Sequence, residues 1–133
     1  MESFARGSLR NVTLRRPDKV VMKRFAQTVL LKSDPEVIRR YEQYHANIWP
    51  EVVTGTFACG VQRVFIYRYQ RMLFMFMETT DDFDMQRDMP KYMADPKAKE
   101  WDELMRTFQE SVPGAPGGTT WVQMKEICAL VTP

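Results

Sequence analysis

Met72-Leu73-Phe74-Met75-Phe76-Met77-Glu78 is apolar at every position but the last. In an extended strand, alternation puts Met72, Phe74 and Phe76 on one face and Leu73, Met75 and Met77 on the other. A sheet packed on one side only alternates apolar with polar residues, so this strand asks for cover on both faces. Helices of the same chain can supply one layer. A chain of 133 residues struggles to supply the second, and its simplest source is another copy of the same chain.

Just upstream, the run from Val61 to Tyr69 is separated from this strand only by Gln70-Arg71, which predicts a strand pair. Before it, residues 22–32 carry Phe25, Ala26, Val29, Leu30 and Leu31 and end at Ser33-Asp34-Pro35, the pattern of a first strand. Ser33-Asp34-Pro35-Glu36 then holds a Ser-x-x-Glu capping box and a proline suited to a first helical turn. From there Val37, Ile38, Tyr41, Tyr44, His45, Ile48, Trp49 and Val52 recur at three- and four-residue steps, the apolar face of a helix of about four turns. Pro50 cannot donate to the helical ladder, so a kink or break is expected after Trp49.

Downstream, Thr79-Thr80-Asp81-Asp82 reads as a turn, and residues 83–93 carry no decisive period. Asp95-Pro96 starts a second amphipathic helix through Ala98, Trp101, Leu104, Met105 and Phe108, expected to end near Val112. Pro113-Gly114-Ala115-Pro116-Gly117-Gly118 is a loop. A last strand should place Val122, Met124, Cys128 and Leu130 on one face and Trp121 and Ile127 on the other. The order strand, helix, strand, strand, helix, strand is the ferredoxin-like βαββαβ arrangement, an α+β fold with helices on one sheet face. Burial of the other face between two copies gives a dimeric α+β barrel.

Residues 22–133 are thus read as one domain. Residues 1–21 hold Arg6, Arg10, Arg15, Arg16 and Lys19 against Glu2 and Asp18, the composition of an N-terminal tail, either disordered or an organelle transit segment. Over the whole chain 19 basic residues face 17 acidic ones, and 44% of residues are apolar. This balance gives no electrostatic argument for nucleic acid or a membrane surface as partner. Charged or polar residues interrupt every apolar run before the ~20 residues a membrane span needs, so the protein is expected to be soluble and cytoplasmic unless the tail redirects it. Cys59 and Cys128 lie far apart and outside any metal-ligand spacing, and are read as reduced thiols.

No phosphate loop, GxSxG elbow, Walker motif or His/Cys cluster occurs, which leaves nucleotide hydrolysis, triad hydrolysis and zinc chemistry without support. What remains is Tyr41-Glu42-Gln43-Tyr44-His45-Ala46-Asn47-Ile48-Trp49-Pro50-Glu51, which holds the chain's single histidine. On a helix, Tyr41, His45 and Trp49 line one stripe. His45 has two readings, a hydrogen-bonded core histidine or a general acid/base titrating near neutrality. Tyr41 and Trp49 on either side, with Trp101 from the second helix, offer a hydroxyl and flat apolar surfaces of the kind that suit a sugar ring.

Tyr41-x-x-x-His45-x-x-x-Trp49-Pro50-Glu51, the following Gly60, the strand ending Leu73-Phe74-Met75-Phe76-Met77-Glu78, and Trp101 before Met105 together resemble the L-rhamnose mutarotase family, over roughly residues 23–130. The resemblance implies a homodimeric ferredoxin-like barrel that interconverts the α and β anomers of a deoxyhexose without cofactor or metal. It implies His45 as the proton donor, Tyr41 as a sugar-binding tyrosine and Trp101 as the second of a sugar-binding tryptophan pair. Three positions depart from the family pattern: the first tryptophan of the pair is Glu100, and the usual Asn-Tyr after the glycine is Arg63-Val64. Loss of that tyrosine removes a sugar contact, while Glu100 is either a second proton-transfer or hydroxyl-binding group or a solvent-facing residue. Two rival readings stand beside the mutarotase: a haem-binding dimeric-barrel monooxygenase with His45 on iron, and a non-catalytic sugar-binding or assembly protein in which Arg63, Val64 and Glu100 mark lost catalysis.

Overall fold

The computed structural model describes residues 22–133; the expected tail, residues 1–21, lies outside the described residues. The elements are β1 (Lys23–Leu31), α1 (Pro35–Ala46), α2 (Pro50–Ala58), β2 (Val61–Tyr69), β3 (Met72–Thr79), α3 (Met85–Met93), α4 (Pro96–Arg106), β4 (Gln109–Glu110) and β5 (Val122–Met124). The βαββαβ order holds, with the first expected helix divided in two, the second preceded by an additional helix, and the last strand position shared between two short strands. All pairings are antiparallel, in the order β2-β3-β1-β4, and β5 joins the same edge of β1 as β4.

Local chemistry explains the divisions. Asp34, not Ser33, caps α1, accepting from the Glu36 amide at 2.9 Å with Pro35 in the first turn. The helix stops at Ala46, three residues earlier than Trp49, because Pro50 opens α2 and Trp49 becomes its N-cap. The unassigned segment is helical: Asp84 accepts from the Arg87 amide at 3.0 Å while Asp88 accepts from the Asp84 amide at 2.8 Å, a reciprocal cap. Pro90, inside that helix, is the residue that obscures its period. The second expected helix ends at Arg106 rather than near Val112, since Gln109 and Glu110 leave it to pair with Leu31 and Leu30.

The last strand is shorter than expected. It covers Val122–Met124 only, opposite Thr28 to Ala26. Ladder pairing stops there although β1 continues to Lys23; Glu126 still meets Arg24 through two hydrogen bonds of 2.7 and 3.1 Å, and then Ile127 and Leu130 stand 89% and 93% exposed.

The two faces of β3 differ as the alternation required. Leu73 of β3 is buried with Val29 and Leu31 of β1, and they join Tyr41, Val52, Trp101, Met105 and Phe108 in the main core, while Met77 is buried with Val61 and Phe83 in a second cluster. Each such side chain removed from water stabilises the fold by about 1.5–3 kcal/mol. On the other face, cross-strand pairing aligns Phe65 with Phe76, Tyr67 with Phe74 and Tyr69 with Met72. Tyr67 and Tyr69 are 61% and 67% exposed there, and Phe65, Met72, Phe74 and Met124 are exposed too. The hairpin turns at Gln70 in the left-handed region (φ 52°), and Arg71 ties it to β1 by donating from Nε to the Leu31 carbonyl at 2.8 Å. No described helix is long and apolar enough to cross a membrane, and Cys59 and Cys128 are free thiols.

Gly60 joins α2 to β2 with φ at +109°, and a Cβ there would meet Phe83 Cδ1 at 3.1 Å and Thr80 Oγ1 at 3.3 Å. Gly60→Ala should therefore lower unfolding free energy by about 1–3 kcal/mol. Urea denaturation reads this, and a loss below about 0.5 kcal/mol would contradict the strained junction.

Candidate active site

His45 sits in the last turn of α1, where burial of Tyr41 one turn earlier aims the same helix face at the sheet. Its Nδ1 lies 2.9 Å from the Tyr41 carbonyl oxygen. A carbonyl can only accept, so Nδ1 carries the proton and donates. In the neutral ring that leaves Nε2 with a free lone pair. Burial lowers the pKa of His45 below its ordinary 6.5, with the hydrogen bond to Tyr41 opposing that shift, so the ring is neutral near pH 7.

Aromatic neighbours fix the imidazole plane. The Tyr41 ring stacks on it at 4.4 Å between centroids, tilted 27°. Trp101 of α4 meets it edge-on at 5.3 Å, and Trp101 in turn packs edge-on against Trp49 at 5.1 Å and Tyr44 at 6.0 Å. The break at Pro50 takes Trp49 off the helical stripe expected for Tyr41, His45 and Trp49, yet the tertiary fold returns it to Trp101. Tyr41 and Trp101 are only 3% and 7% exposed. The Tyr41 hydroxyl accepts from Gln109 Nε2 at 3.2 Å, and burial pushes its pKa up to about 12, so it is a neutral phenol throughout the physiological range.

His45 and Ile66 are walls common to two cavities between α1, α2 and the edge strand β2. One, of about 520 Å³, is also lined by Tyr41, Glu42, Tyr67, Arg68 and Leu73. The other, of about 490 Å³, is lined by Ile48, Val52, Phe57, Gln62, Arg63 and Val64 among others. Both are of the size that holds a small organic ligand. Arg63 and Val64 line this second cavity with His45, and Arg63 Nε lies 3.4 Å from Glu78. Glu100 does not join them: it is exposed on α4, and its carboxylate pairs with Lys97 at 3.3 Å. Among the described residues no group of three or more His, Cys, Asp or Glu side chains could hold a metal ion.

The structure brings together His45, Tyr41, Trp49 and Trp101, all singled out in the sequence, and adds Gln109, Glu42 and Arg68, which the sequence reading did not single out. Gln109 belongs to a two-residue strand, too short to carry a period. Glu42 and Arg68 become neighbours only when β2 packs against α1, 26 residues apart in sequence.

An antiparallel sheet with helices on one face is the arrangement of the dimeric α+β barrel fold family. The fold is shared with an L-rhamnose mutarotase from Formosa agariphila (TM-score 0.60, 19% identity, 82% of this chain and 99% of that one). It is shared also with tetracenomycin F2 cyclase, a type-II polyketide cyclase from Streptomyces glaucescens (TM-score 0.56, 14% identity, 84% and 99%). In sequence, an L-fucose mutarotase of Xanthomonas campestris pv. campestris is 32% identical over 111 residues, 82% of this chain and 89% of that protein. A UPF0734 protein of Dictyostelium discoideum is 39% identical over 100 residues, 74% and 80%. The sequence pattern of the L-rhamnose mutarotase family matches residues 24–130, and the chain belongs to that family. Its relatives place it among the carbohydrate isomerases.

Proposed function

We propose that this protein interconverts the α and β anomers of a deoxyhexose of the L-rhamnose or L-fucose type, with His45 as the general acid/base. One observation carries the mechanism: the Tyr41 carbonyl holds the Nδ1 proton of His45, which leaves Nε2 as the basic nitrogen beside a monosaccharide-sized cavity. Nε2 takes the proton from the anomeric hydroxyl. The O1–C1 bond becomes a carbonyl as the C1–O5 pair leaves with the ring oxygen, and the imidazolium returns its proton to O5. Rotation about C1–C2 presents the other carbonyl face, and the reverse steps close the ring as the opposite anomer. Tyr41 and Trp101 hold the imidazole in plane, and the half-buried Trp49 extends the apolar wall. Glu100, paired with Lys97 on the outer face, takes no part.

Because the active form is the neutral imidazole, kcat/KM should fall as pH drops through a midpoint below 6.5 and stay level above it. His45→Ala should slow anomer exchange about 100-fold or more after subtraction of the uncatalysed rate, read by NMR exchange between anomeric signals. Wild-type exchange rates in His45→Ala would remove the catalytic role.

The homodimer is part of the same proposal: a second copy would cover the apolar face carried by Phe65, Tyr67, Tyr69, Met72 and Phe74. Light scattering should give the mass of two chains for the wild type and of one chain for Phe74→Asp, since a carboxylate cannot be buried there unpaired. A wild-type mass of one chain contradicts it.

A further inference from the structure

Resting on the sugar reading above, the cavity wall formed by Glu42 and Arg68 has a role that the acid/base chemistry does not use. Glu42 lies on α1 three residues before His45, and Arg68 lies two residues after Ile66, on the helix-facing side of β2. Both line the cavity that His45 and Tyr41 also line, and they are its two charged members. Arg68 donates from Nε to Glu42 Oε2 and from Nη1 to the Gln70 carbonyl at 2.7 Å. Two acceptors therefore hold the guanidinium fork in place. Among the described residues, Arg68 Nη2 and Glu42 Oε1 make no hydrogen bond, so a donor pair and an acceptor face outward from a preset frame.

As a fold-stabilising device this pair is poor. Its side chains are 34% and 54% exposed, and ion pairs so solvated contribute little to stability. As a recognition device it is well matched to a sugar. A hydroxyl is both donor and acceptor, so an adjacent carboxylate and guanidinium can satisfy both capacities at once, through the stronger, charge-assisted kind of hydrogen bond. The second cavity lined by His45 is walled mainly by apolar side chains, Ile48, Val52, Val53, Phe57 and Val64 among them, with Gln62 and Arg63 as its polar members beside Thr56. A deoxyhexose has the same asymmetry, with hydroxyls on successive carbons and a methyl group at the far carbon.

We infer that the Glu42–Arg68 pair is the specificity determinant that reads ring hydroxyls, while the apolar wall of the second His45 cavity takes the deoxy methyl. Binding of this kind acts on ground state and transition state alike, so its loss raises KM and leaves kcat nearly unchanged. The test compares wild type, Glu42→Gln and Arg68→Gln with L-rhamnose, L-fucose and the monodeoxy analogues of L-fucose. Anomer exchange is read by NMR and binding by calorimetry. Arg39→Gln, which breaks the Arg39–Glu36 pair elsewhere on α1, serves as the surface control.

The expected result is a rise of about tenfold or more in KM and Kd for the preferred sugar in both variants. kcat and the His45 titration midpoint should be unaltered, and the defect should vanish on the analogue lacking the hydroxyl that the pair reads. An unchanged KM and Kd, or a loss of the same factor on the parent sugar and every analogue, would overturn the recognition role. Wild-type protein that binds sugar without exchanging anomers would sink the mutarotase reading alone, because the Kd comparison still decides this one. No binding of either sugar would overturn both.

Discussion

The hydrogen bond from His45 Nδ1 to the Tyr41 carbonyl is the interaction on which the site depends. It costs the fold nothing to place, since residues four apart on a helix already face one another. What it decides is the tautomer. With Nδ1 committed, the nitrogen left for chemistry is Nε2, and desolvation keeps it unprotonated at rest. The same geometry would ease an imidazolium: the Tyr41 carbonyl still accepts from it, and the C-terminal turn of α1 carries the negative end of the helix dipole. Burial and hydrogen bonding thus pull the pKa in opposite directions, which suits the acid/base role proposed for this ring.

That bond is steady only because of what surrounds the ring. Tyr41 is clamped in the core by Val29, Leu31 and Phe108 and by the Gln109 amide, and the Tyr41 ring lies against His45. Trp101 closes the opposite edge. The break at Pro50 matters here as much as any contact. A continuous helix would have carried Trp49 along the stripe below His45, whereas the turn at Asn47–Trp49 starts α2 in a new direction and opens the space that α2 and β2 then wall.

The architecture was legible because its decisive signals are local. Two-sided apolarity in Met72–Thr79, a two-residue hairpin and Asp-Pro helix starts each act over a few residues, and the sheet order follows from their succession. Element ends were misjudged where the local pattern did not decide them: β1 draws Gln109 and Glu110 out of the second helical run, and the last strand stops pairing at Met124, which leaves Ile127 and Leu130 exposed. Around the candidate site, the clustering of Tyr41, His45 and Trp101 matches the motif that singled them out, while Gln109, Glu42 and Arg68 carry no motif and owe their position to packing between elements distant in sequence. Glu100 shows the converse, a departure from the family pattern that sits where solvent, not the cavity, meets it.

Because the chain has a single histidine, its ring can be observed without assignment ambiguity. A long-range ¹H–¹⁵N correlation spectrum of histidine-labelled protein reads the tautomer and its titration directly. The account predicts a protonated Nδ1 and an unprotonated Nε2 at neutral pH, with the ring gaining its second proton only below pH 6.5. An Nε2–H tautomer, or an imidazolium persisting at neutral pH, would contradict it.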